Sequence, residues 1–252
     1  MTFDSAPYER ASALYPQPVA LSCGRVCRAR TPQERLDSIL KCAEVLTRYT
    51  CALAIGSFAA RDDEEIAVPK ALESFDGNLS FGHFLTVVQA LAAGPCPHPL
   101  LISLSAAFQG KKGQPGPANS SLSDLLQLRN ELGHNLMALS EAKVVAVFGE
   151  RQPDVVLRQA LDALDRLLTL PLFLAEEQRL VQKRVVARRL LLMGESADPT
   201  PQDVALNEGL GHDRRLYAGV KGGALSLYPF LIWDLTPERA NYGVYFVDAI
   251  NL

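Results

Sequence analysis

Residues Ser121–Phe148 read SLSDLLQLRNELGHNLMALSEAKVVAVF, and the reading of the fold turns on them. Leu122, Leu125, Leu126, Leu132 and Leu136 recur every three or four residues, the spacing that gathers apolar side chains on one helix face. With Arg129 as reference and about 100° per residue, these leucines fall roughly within 60° of it, while Asn130 and His134 lie at roughly 100° and 140°. Arg129 therefore points toward the packed side, where an unpaired charge is costly, and needs an anionic partner. Asn130 and His134, four residues apart, share a polar rim beside it. Gly133 either kinks the helix or permits close packing against a neighbour.

Working outward, residues 109–121 (QGKKGQPGPANSS) form a polar Gly/Pro-rich segment, expected to be a flexible loop. On the other side, Gly149 to Pro153 form a turn with Asp154 near a cap position. Val155, Val156, Ala160, Leu161, Leu164, Leu167 and Leu168 then make an apolar stripe that Pro171 stops. Nearer the start, Thr31-Pro32-Gln33-Glu34 is a helix-start signal, and the apolar spacing carries that helix to about Ala60. The acidic run Asp62–Glu65 with Pro69 marks a connection. Ser80 to Ala93 is helical, Gly94-Pro95 ends it, and Leu100 to Phe108 is helical again. Residues 1–30 show no sustained period and are expected to form an arm packed on the body.

Past Pro171 the pattern changes. Residues 171–194 favour strands, and Leu225–Trp233 and Tyr242–Val247 are rich in aromatic and branched residues. The expected architecture is α+β: an arm (1–30), an antiparallel helical bundle (31–170) and a small β-rich domain (171–252).

A hydrophobic fraction of 48% with 21% charged residues is that of a globular chain able to bury a core. The formal charge of −3 leaves no global basic field, so contact with nucleic acid has to rest on a local patch. No apolar run reaches the roughly 18 residues of a membrane span, and MTFDSAPYER lacks the marks of a leader; the expectation is a cytoplasmic protein without membrane contact. Five cysteines, an odd number, argue for reduced thiols. Cys23, Cys27, Cys96 and His98 are zinc-ligand types, but their spacing is not that of a zinc site, so no metal or cofactor is expected. His83, among Phe81, Phe84 and Leu85, is read as a bundle histidine. Arg179, Lys183, Arg184, Arg188 and Arg189 form the strongest basic run, more a solvated face than an RNA-binding one.

Arg129-Asn130 followed by His134, late in a helical bundle, resembles the Arg-x4-6-His motif of the HEPN superfamily. The resemblance covers about residues 31–170 in layout and Arg129–His134 in detail. It implies a homodimer joined along the helix bearing Arg129 and His134, whose paired motifs cleave RNA without metal in a defence or toxin-like system. His134 would be the general acid or base, Arg129 would stabilise charge on the phosphate, and Asn130 would orient its neighbours. Lys111 and Lys112 are placed to contact substrate phosphates. The β-rich end resembles segments of large bacterial signalling and defence proteins. The alternative is a non-catalytic dimerisation or sensing module served by a protein partner or activator, in which Arg129 pairs with a core carboxylate and His134 caps or bridges helices.

Overall fold

Among the described residues the helices lie in the first two thirds of the chain and nearly all of the strands in the rest, in the α+β order its periodicity predicts. The computed structural model describes residues 3–60, 69–74, 77–95, 98–133, 139–196, 199–207, 209–210, 214–221, 223–234, 243–246 and 249–250. Among them the helices are α1 (Ala6–Leu14), α2 (Gln17–Arg28), α3 (Pro32–Ala59), α4 (Phe81–Ala93), α5 (Pro99–Phe108), α6 (Pro117–Leu132), α7 (Glu141–Arg151) and α8 (Pro153–Leu168). The strands are β1 (Gly77–Asn78), β2 (Leu172–Val181), β3 (Arg184–Leu191), β4 (Thr200–Leu206), β5 (Leu216–Val220), β6 (Gly223–Ser226), β7 (Leu231–Asp234), β8 (Gly243–Phe246) and β9 (Ala249–Ile250). The acidic run Asp62–Glu65 lies outside the described residues, as do Cys96 and His134.

The start of α3 follows from its first four residues. The Thr31 hydroxyl accepts from the Glu34 N–H at 3.1 Å, and the Glu34 carboxylate accepts from the N–H groups of Arg30 and Thr31, which hold it below the usual carboxylate range. At 28 residues α3 is the central element, with α2, α4, α5, α6, α7 and α8 packed around it. Three of its buried hydroxyls are satisfied locally: Thr47, Thr50 and Ser57 each donate to the carbonyl four residues back, at 2.7–2.9 Å.

Three expectations give way here. Residues 6–28 are two helices, with Tyr8, Tyr15, Val19, Cys23 and Val26 at most 2% exposed in the same core as α3. α2 buries Val19, Cys23 and Val26 and exposes Leu21, Arg25 and Arg28, a helical period that the expectation of an aperiodic arm overlooks. Residues 109–121 contain little loop: Gly110 and Gly116 donate to the carbonyls of Gln114 and Phe108 at 2.8 Å each, and α6 already begins at Pro117. His83 is exposed, its Nδ1 accepting the Ser80 N–H at 3.1 Å to cap α4.

The main sheet is antiparallel in the order β4-β3-β2-β5-β6, with β1–β9 and β7–β8 as separate pairs. The β2–β3 hairpin bears out the strand reading of 171–194. Its two-residue turn, Gln182-Lys183, has φ of 48° and 65°, the left-handed pair that matches the twist of the flanking strands. Leu225–Trp233, expected as one strand, is broken by a turn at Tyr228–Phe230, because Pro229 cannot donate to a ladder. Leu172, Leu174, Leu192, Leu216, Leu225 and Leu231 join the core of the helices, so the change of secondary structure at Pro171 crosses one continuous interior. No described helix is long and apolar enough to cross a membrane.

Candidate functional site

Arg129 sits in the last turn of α6 and turns inward, as the spacing of Leu122, Leu125 and Leu128 requires. Its Nη1 lies 3.0 Å from Glu44 Oε2 on α3, and Glu44 Oε1 is 2.8 Å from Arg48 Nη2 one turn along the same helix. The Arg48 guanidinium lies 4.9 Å from the centre of the Phe84 ring on α4. One carboxylate is thus shared by two arginines, and the three side chains tie α6 to α3 beside α4. Glu44 and Arg48 are 16% and 14% exposed and Arg129 33%, so the first two are enclosed while an edge of Arg129 reaches solvent.

Asn130 points elsewhere. It is exposed and lines an open groove of about 550 Å³ between α4 and α6, with Gly82, Leu85, Thr86 and Gln89 on one bank and Ser123, Leu126, Gln127 and Glu131 on the other. No described lining residue carries a positive charge. The single carboxylate, Glu131, accepts from Gln127 at 2.7 Å and from Arg151 at 3.1 Å.

α6 ends at Leu132, and Gly133 has φ +63° while donating to the Arg129 carbonyl at 3.0 Å. A side chain at Gly133 would meet nothing within 4 Å, so the left-handed backbone, not close packing, calls for glycine, and the helix stops there instead of kinking. The helical wheel consequently cannot be carried from Asn130 to His134, which lies outside the described residues. Lys111 and Lys112 sit in a short 3-10 turn before α6. Lys111 is exposed, and the described side chains do not include Lys112. From Pro117 to Arg129 the helix rises by about 18 Å, so the two lysines stand at its opposite end.

Several of the other singled-out residues find local partners. Cys23 Sγ and Cys42 Sγ are 3.6 Å apart and fully buried, and the Ser22 hydroxyl donates to Cys42 Sγ at 3.3 Å. The shared contact and burial push the Cys23 thiol up. Cys27 is half-buried, and no group of three metal-ligating side chains gathers among the described residues. The basic run divides between sheet faces. Arg179 pairs with Asp203 at 2.6 Å and Arg188 with Glu176 at 3.4 Å, while Arg189 lies half-buried on the other face, 4.9 Å from the Phe173 ring centre. Sequence reasoning missed Glu44 and Arg48, although a glutamate four residues before an arginine on a predicted helix is a legible pair. Comparison of the chain with family models, with curated proteins and with solved structures finds no match.

Proposed function

We propose that this chain is a non-catalytic interaction module with a HEPN-like helical part, which pairs with a second copy of itself through the groove between α4 and α6. The observation that supports this reading is the pairing of Arg129 with Glu44 beside a groove whose described lining has no cation. A surface that grips RNA draws its affinity from cations laid along the phosphates, and this groove offers amides and small side chains. Gly82, Thr86 and Ser123 permit close approach of another helix, and Asn130 and Gln89 supply polar registration. Light scattering coupled to size exclusion tests it: the wild type should elute as a dimer, and Ser123→Arg, which sets an unpaired charge in the groove, should elute as a monomer. A wild type that stays monomeric at roughly 100 μM, well above the Kd of a stable pair, ends the proposal.

A second reading, the metal-independent endoribonuclease, draws support from the solvent-facing edge of Arg129. There two copies would bring Arg129, Asn130 and His134 together at the dimer cleft, with His134 exchanging the proton of the ribose 2′-OH. Cleavage of RNA in EDTA that is lost in His134→Ala would favour this reading over the first. Equal cleavage by both proteins, or none, would remove it.

A further inference from the structure

A second cavity lies far along the chain from Arg129, at the edge strand β6. It has a volume of about 450 Å³, within the range of roughly 300–1,000 Å³ typical of small-molecule sites. Its floor is the last turn of α3, where Gly56 and Ala59 keep the helix thin. A Cβ at Gly56 would come within 2.6 Å of the Ser226 carbonyl oxygen, so glycine is what lets α3 abut the strand. Leu225 and the rings of Tyr228 and Phe230 form the wall, and Tyr228 stands 51% exposed at the rim. A ring half in water on the lip of an apolar cavity is surface that an occupant would cover.

Arg215 is the one positively charged residue among those lining the cavity. Its backbone is pinned, because the Arg215 carbonyl accepts from the Ala175 N–H at 3.1 Å while Arg214 donates to the Ala175 carbonyl at 2.7 Å. Its guanidinium lies over the Tyr228 ring, 4.1 Å from the centroid, and pairs with no carboxylate among the described residues. Stacking engages the face of a guanidinium and leaves the N–H donors around its edge available for an anion. Arg48, Arg129, Arg179, Arg188 and Arg189 spend those donors on Glu44, Asp203, Glu176 or Gln202. We infer that this cavity binds a small molecule with a planar apolar body and one anionic group, the body lying between α3 and the Tyr228 and Phe230 rings and the anion on Arg215. The site is independent of the groove between α4 and α6.

Two fluorescent probes of one shape test it on the full chain: 1-anilinonaphthalene-8-sulfonate carries the anion, and N-phenyl-1-naphthylamine is the same body without it. The wild type should bind the sulfonate saturably at one site. Arg215→Gln should weaken the sulfonate about tenfold, the worth of a lost charge-assisted bond, and shift the neutral probe less than about twofold. Ala59→Leu, at an exposed position that tolerates the larger side chain, should weaken both probes by filling the floor. Circular dichroism and melting curves show whether each variant is folded. Absence of saturable sulfonate binding to the wild type overturns the inference. So does a sulfonate affinity unchanged in Arg215→Gln, or affinities for both probes unchanged in Ala59→Leu.

Discussion

Arg129 and Arg215 carry the same charge, and each is partly covered, yet they stand in opposite situations. Arg129 is held by Glu44, itself held by Arg48, in the wedge between α3, α6 and α4. Arg215 lies against one ring in the lining of a cavity and pairs with no carboxylate among the described residues. A motif drew the eye to the first, whereas the second carries no motif at all. The difference teaches that a charged residue's chemistry is decided by what completes its hydrogen bonds, which is a property of the fold, not of the spacing along the chain.

That contrast can be broken by stability measurements. The largest effect should come from Glu44→Ala, which removes the carboxylate shared by the enclosed Arg48 and the partly covered Arg129. A loss of about 2–3 kcal/mol, or roughly 5–10 °C in Tm for a chain of this size, is expected in thermal and urea melts. An unchanged Tm would mean that the shared carboxylate does not hold the helices. Arg129→Ala should cost less, about 1–2 kcal/mol, because Arg48 still neutralises Glu44. In a double-mutant cycle the Glu44 and Arg129 substitutions should couple by about 1 kcal/mol, and strictly additive effects would refute a direct pairing. Arg215→Ala should lower stability by less than about 1 kcal/mol, the worth of one exposed cation–π contact. A larger drop would make Arg215 a structural residue like Arg129 and erase the distinction. The smallest effect serves as a control away from both arginines. Lys183→Gly in the β2–β3 turn should raise stability by roughly 0.5 kcal/mol by relieving a side chain at φ 65°. A destabilised Lys183→Gly would show that the turn is held by the side chain, not strained by it.

Much of the fold was legible where local chemistry decides it. The Thr31–Glu34 box opens α3 as read, the stripe from Val155 to Leu168 lies in α8, and the hairpin after Pro171 forms despite its charges. Two errors sat on signals that were present. Gly133 ends a helix through its positive φ, and Pro229 ends a strand by lacking a donor, and both were read through as continuous elements. Other parts were not legible in principle. Cys23 on α2 meets Cys42 only after α2 folds back on α3, a contact no local pattern announces. At the candidate site the inward turn of Arg129 was readable and its need for an anion was predicted. Which carboxylate would answer depended on α3 lying against α6, a long-range fact absent from the local pattern.

The first thirty residues carry one more consequence, in time instead of space. Pro16 bridges to Met193, Gln17 donates to the Leu192 carbonyl at 3.0 Å, Gly194 donates to the Tyr15 carbonyl at 2.8 Å, and the Gln17 amide reaches Ser196 across 179 residues of chain. Translation runs at roughly 5–20 residues per second, so roughly 10–35 s separate the two halves of that joint as the polypeptide emerges. Throughout this interval the corner between α1 and α2 lacks its partner. Arrested nascent chains ending before Leu192 should be cut in this corner by a protease that spares it in the finished protein. Equal resistance in both would show that the amino-terminal helices settle without waiting for the sheet.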